Sequence, residues 1–147
     1  MADYLTRFSG LGPADFIEAP GHRLETLKAC YLKLRQLVDA GAIFVGHGLK
    51  TDFEIINLVV PLGQVIDTVN LFWIPGARRL SLRFLAWHLL GEQMANRMQD
   101  KHDSIEDAQT ALALYEKYLE LQAASIVEQT IQQLYDVGRD TNWQVPM

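Results

Sequence analysis

Apolar residues recur at three- or four-residue spacing along most of this 147-residue chain, interrupted by two short runs without that period. Leu24, Leu27, Tyr31, Leu34 and Val38 share one helical face and predict a helix from about 22 to 40, stopped by Gly41. AIFVG at 42–46 is apolar without strict alternation, as in a central strand buried on both faces. Gly46-His47-Gly48 then allows a turn or a close approach. Thr51 and Glu54 stand at capping-box spacing, which predicts a helix from Thr51 to near Pro61. QVIDTVNLF at 64–72 reads as a second strand running into a turn at Pro75-Gly76. Leu82, Leu85, Ala86 and Leu89 predict a helix from about Ser81 to Leu90, and the more polar 91–102 reads as a loop. Asp103 with Glu106, or Ser104 with Asp107, caps a helix to about 120, its face formed by Ala108, Ala111, Leu112, Tyr115 and Leu119. Ile126, Val127, Ile131, Leu134 and Tyr135 continue the period, in the same helix bent or in a second one.

Both ends read as irregular. Residues 1–21 hold Gly10, Gly12, Gly21, Pro13 and Pro20, yet Tyr4, Leu5, Phe8, Leu11, Phe16 and Ile17 are too apolar for a free tail and should pack on something. The C-terminal segment is expected to be anchored by Trp143.

The resulting order is an α/β layered domain, of a length that suits one domain spanning 1–147. It is short of strands: a strand such as 42–46, buried on both faces, needs neighbours on both sides. That points to an absent part of the sheet, and the open edge of 42–46 to self-association. Apolar residues at 49% and charged residues at 21% are enough for a core and exclude disorder by composition. No apolar run reaches 18 residues and no secretory signal begins the chain, so neither a membrane span nor export is expected. The single cysteine, Cys30, permits no internal disulfide, fits a reducing compartment, and is expected as a small buried apolar residue. A net charge of −5 argues against broad, unspecific nucleic-acid binding but not against a nuclease whose metal ions carry the positive charge.

Several polar residues admit a chemical role beside a bland one. Asp52 follows a strand and a glycine turn, where α/β folds bind ligands, but first-turn aspartates also serve the helix dipole. Glu54 completes a D-x-E string, but on a helix the two side chains stand about 200° apart and cannot share an ion. His102 and Asp107 lie in H-D-S-I-E-D-A, either facing one cleft or forming a surface histidine with a cap cluster of Asp103, Glu106 and Asp107. One histidine among carboxylates is a poor zinc pattern but suits Mg²⁺ or Mn²⁺ with a base beside them. Asp67 either supports the site from the strand end or caps a turn, and His47 either holds backbone geometry or touches substrate, the structural role coming first for both; His22 and His88 read as structural. Arg78, Arg79 and Arg83 are a solvated helix start or a phosphate contact, and Phe8 beside Ser9, Gly10 and Leu11 a packed or base-stacking ring.

GHGLKTDF at 46–53 together with HDSIEDA at 102–108 resembles the second and last motifs of the DEDD exonucleases of the histidine subclass. DYLTRFSGL, QVIDTV, RRLSLRFLAWHLL and LYDVGRDTNW extend the likeness to the branch found in catalytic subunits of poly(A)-nuclease deadenylation complexes. The resemblance implies a ribonuclease H-like fold and 3′→5′ removal of mononucleotides from mRNA poly(A) tails in the cytoplasm. It implies Asp52 and Asp107 as ligands of two divalent ions, Mg²⁺ or Mn²⁺, and His102 as the base that activates water. It places the Ser9–Leu11 turn near the substrate nucleotide. It further implies a regulatory partner subunit and upstream domains in the same protein. The family's first motif is a strand-borne D-x-E that supplies two more carboxylates. No strand in this sequence carries one, so the expectation is a domain without its first three strands and first motif, inactive in isolation. The alternative expectation is a non-catalytic module that serves as a scaffold or interaction surface.

Overall fold

A computed structural model describes residues 27–92 and 103–146. The first described element, α1 (Leu27–Asp39), turns Tyr31, Leu34 and Val38 inward as expected, but Leu27 at its exposed start is not part of that face. Cys30 is exposed, not buried. It precedes Tyr31 by about 100° of helical rotation and so falls outside the inward face. Gly41, at a positive φ, lets the chain leave the helix.

β1 (Phe44–Gly46) and β2 (Val65–Asp67) pair in parallel, Phe44 opposite Val65, Val45 opposite Ile66 and Gly46 opposite Asp67. Both are shorter than predicted. The Gln64 side-chain amide donates to the carbonyls of Val38 and Ala42, which ties the end of α1 to the start of β2. Among the described residues β1 has β2 as its one strand neighbour.

α2 spans Leu49–Ile55, so it starts before Thr51 and ends well short of Pro61. Its first residue follows Gly48, which holds a left-handed conformation at φ 78 and has no side chain to cap the helix. Thr51 and Glu54 are therefore interior helical residues and not a capping box. Asn57, also left-handed, closes the far end, with the Leu58 amide returning to the Phe53 carbonyl. Phe53 packs edge-on against Phe44, ring centres 5.6 Å apart, and holds α2 against the sheet.

The predicted strand 64–72 is a strand only through Asp67. The Asp67 carboxylate then accepts the Val69 amide and caps α3 (Thr68–Leu71). α4 (Leu82–Leu89) begins as expected at Ser81, whose hydroxyl oxygen accepts the Phe84 amide. α5 (Ser104–Ala123) is capped by Asp103, which accepts from the amides of Ile105 and Glu106. Ser125, at φ 58, breaks the chain between α5 and α6 (Val127–Thr141), so the two are separate helices.

α5 is the hub, lying against β1, α3, α4 and α6. Its buried face is Thr110, Ala111, Leu114 and Leu121, which shares Ala111 with the predicted one; Leu112 and Leu119 are exposed. Apolar residues occur on both sides of this helix, so periodicity alone leaves its rotation undecided. The main core joins Phe72, Leu80, Phe84, Leu85, Leu114, Leu121, Leu134 and Tyr135. Trp143 closes it from the C-terminal segment, near Phe84 and Tyr135. Among the described residues, no helix is long and apolar enough to cross a membrane.

Candidate active site

The turn after β1 and the turn after β2 meet on one carboxylate. Asp67, 9% exposed, accepts the Gly48 amide on Oδ1 and the Leu49 amide on Oδ2, each at 2.9 Å. Its Oδ1 also accepts Val69 N–H at 3.0 Å. One side chain thus caps two helices, α3 locally and α2 across the sheet.

His47 secures the same turn. Its ring nitrogens lie 2.8 Å from Thr68 Oγ1 and 3.1 Å from the Leu80 carbonyl, and Thr68 Oγ1 lies 3.1 Å from the Gly46 carbonyl. The carbonyl of Leu80 can only accept, so Nε2 carries a proton. Burial lowers the affinity of His47 for a second proton, opposed by the Asp67 charge and the Leu80 carbonyl. Thr68 Oγ1 has a single proton, which can serve the Gly46 carbonyl or His47 Nδ1 but not both at once. The structural roles expected of His47 and Asp67 are those seen.

α2 carries Asp52 in its first turn, exposed above this arrangement. Partial desolvation, then the negative charge of Asp67, holds its carboxyl above the usual carboxylate range. Glu54 lies on the same short helix, where it cannot join Asp52 at one ion. Asp107 lies in the first turn of α5, partly buried, with Oδ1 out of solvent. Because α5 packs on β1 and α2 starts three residues beyond it, the elements bearing Asp52 and Asp107 are both fastened to the same short strand. His102, His22 and the Phe8–Leu11 turn lie outside the described residues.

Mg²⁺ and Mn²⁺ take several hard oxygen donors. Asp52 and Asp107 have that chemistry, but among the described residues no three His, Cys, Asp or Glu side chains gather as ligands. Two carboxylates do not make a two-ion site. A cleft of about 350 Å³ at the α5–α6 turn is lined by Tyr118, Gln122, Ser125, Val127 and Glu128, and includes neither aspartate.

The arginine cluster is more committed than either sequence reading allowed. Arg78 lies over the Trp143 ring at 4.7 Å; Arg79 lies over Trp73 at 4.2 Å and donates to Asn70 Oδ1. Arg83 Nε and Nη2 are buried without a hydrogen-bond partner. His88 packs against Phe84, ring centres 4.5 Å apart and tilted by 56°, the structural role expected of it. The convergence on Asp67 was missed as a cap for α2. Its one sequence signal was an aspartate at a strand end facing a glycine turn.

A family model described as exonuclease, of the RNase T type, matches residues 1–115. The chain belongs to this exonuclease family. It is 50% identical over 151 aligned residues to the catalytic subunit PAN2 of the PAN2-PAN3 deadenylation complex of Gallus gallus, covering 99% of this chain and 12% of that protein. The Homo sapiens counterpart is 49% identical, with the same coverage. Among solved structures, the Saccharomyces cerevisiae Pan2 pseudoubiquitin hydrolase–RNA exonuclease module in complex with A7 RNA is 46% identical. It aligns with a TM-score of 0.87 over 98% of this chain and 24% of that one. The Neurospora crassa Pan2 catalytic unit, protease and nuclease domain, is 48% identical with a TM-score of 0.80, over 90% and 22%. The chain therefore spans about an eighth of the length of these curated relatives. The fold is that of a ribonuclease H-like exonuclease, with a two-stranded sheet among the described residues.

Proposed function

We propose that this exonuclease-family chain contributes to a poly(A)-directed 3′→5′ exoribonuclease that releases mononucleotides from mRNA tails in the cytoplasm. Asp52 and Asp107 supply two of its ion-binding carboxylates, and His102 takes the proton from the attacking water. The carrying observation is that α2 and α5, the helices bearing the two aspartates, are both fastened to β1. Likeness to PAN2 catalytic subunits supports the substrate class and a regulatory-subunit partner. The whole of 1–147 acts as one exonuclease unit within a longer protein.

In isolation the chain is expected to be inactive, because Asp52-Phe53-Glu54, the one D-x-E in the sequence, is helical. The same observation favours the second reading, a non-catalytic module. Incubation with 5′-labelled oligo(A) and Mg²⁺ or Mn²⁺ tests this on a sequencing gel. The expected result is an unshortened substrate. Shortening that Asp52→Asn and Asp107→Asn abolish would overturn the inactivity and keep the site. Shortening indifferent to both would overturn the site assignment. In a longer protein with a strand-borne D-x-E upstream, the first reading requires activity and the second its absence. The edge of β1 away from β2, which pairs with no strand among the described residues, supports self-association, and a monomer by light scattering at all concentrations would overturn that.

A further inference from the structure

We propose that Asp67 is a positioning residue of the nuclease site: its carboxylate, reaching from the end of β2, fixes where α2 begins and so where Asp52 stands. The proposal rests on the reading of Asp52 as a site residue. Four observations carry it. Gly48 precedes α2 and offers no side-chain cap, so two of the helix's first amides need a partner from elsewhere. Asp67 meets both, one on each oxygen, from 19 and 18 residues away. It is nearly out of solvent, so these bonds are charge-assisted and shielded from water. Finally, Asp67 is itself immobilised by Val69 N–H and by its register opposite Gly46, so it is a fixed post and not a mobile acceptor.

The geometry also says why no other side chain serves. Asparagine keeps the Oδ1 acceptor for Gly48 and Val69 but turns an amino group toward the Leu49 N–H, donor against donor. Glutamate is one methylene longer and cannot meet both amides from the same backbone position. The next residue extends the device: Thr68, fully buried, joins the Gly46 carbonyl and the His47 ring. Asp67 and Thr68 together lie within hydrogen-bond distance of Gly46, His47, Gly48 and Leu49, the turn that delivers α2.

The test is NMR of the 147-residue chain. In the unmodified protein, scalar couplings across hydrogen bonds should connect the Gly48 and Leu49 amides to the Asp67 carboxyl carbon; their absence overturns the proposal without any variant. In Asp67→Asn, the Leu49 amide should exchange with solvent about tenfold faster or more, while the Leu114 amide changes only by the loss of global stability. Equal acceleration at both sites means a merely structural role and overturns the proposal. Heptaadenylate supplies the functional readout. Asp67→Asn should weaken the shift it causes at the Asp52 amide and leave that at Asp107; an undiminished Asp52 response overturns positioning. No response at Asp52 in the unmodified chain overturns the site reading instead, with the couplings still deciding the grip on α2.

Discussion

Tyr135 of α6 donates its hydroxyl proton to the backbone carbonyl of Arg78, 57 residues earlier, at 2.5 Å. The same oxygen accepts the Ile74 amide at 3.3 Å. One buried hydroxyl thus satisfies both sides of the loop between α3 and α4, and leaves Arg78 placed over Trp143. Tyr135→Phe keeps the ring and removes both bonds. The expected loss is ~1–3 kcal/mol, since two backbone groups lose their partner. Urea denaturation measures it; an unchanged midpoint would show that water replaces the hydroxyl.

Gly138 faces Trp143 so closely that a Cβ there would collide with carbons of the indole ring. Both are needed to dock the C-terminal segment on α6. Gly138→Ala should cost roughly 1–3 kcal/mol by overpacking. In a Trp143→Leu background the same change should cost less, because the two sites are coupled. Additive losses in the double-mutant cycle would contradict the contact.

Asp103 caps α5, the helix that β1, α3, α4 and α6 pack on. Asp103→Ala should lower stability by about 1 kcal/mol and Asp103→Ser by much less. Thermal melts of the two variants side by side check the order.

Acid should destabilise the fold. Burial lowers the proton affinity of both His47 and His88 below the ordinary value, about 6.5. In the window beneath that value the unfolded chain binds more protons than the folded one. The contribution of both residues is therefore complete above about 6.5 and is lost as pH falls through the folded-state values. His88→Phe should flatten the decline seen in urea melts between pH 7.5 and 5.5, as Nε2 of His88 is buried with no hydrogen bond to lose. A slope equal to that of the unmodified chain would rule out His88 as a contributor.

Asp52 works in the opposite sense. Desolvation and the charge of Asp67 raise its folded-state value, so its ionised form is disfavoured in the fold. Such a group favours folding below the ordinary carboxylate value and loses that contribution as pH rises through the folded-state value. At neutral pH, Asp52→Asn should raise the melting temperature slightly, and near pH 4 the gain should shrink. A lower melting temperature at pH 7.5 would mean that the carboxylate has a stabilising partner.

The sequence by itself determined the features whose causes are local. Ser81 and Asp103 accept amides two or three residues ahead, so their helices were legible from spacing. So were the inward face at Tyr31, Leu34 and Val38 and the anchoring by Trp143, since neither has a strong competing pattern. Asp52, His102 and Asp107 were singled out by their flanking strings, not by geometry. What depended on distant parts of the chain was not legible. The start of α2 is set by Asp67 from 18 and 19 residues away, and so the local Thr51–Glu54 signal lost. The same carboxylate ended β2 by capping α3 where alternating apolar residues read as more strand. α5 is apolar on both sides, and only its contacts with β1, α3, α4 and α6 chose the face. Spacing records a residue's fit to its own helix or strand; which acceptor an amide finds across the sheet is decided by the packing of elements.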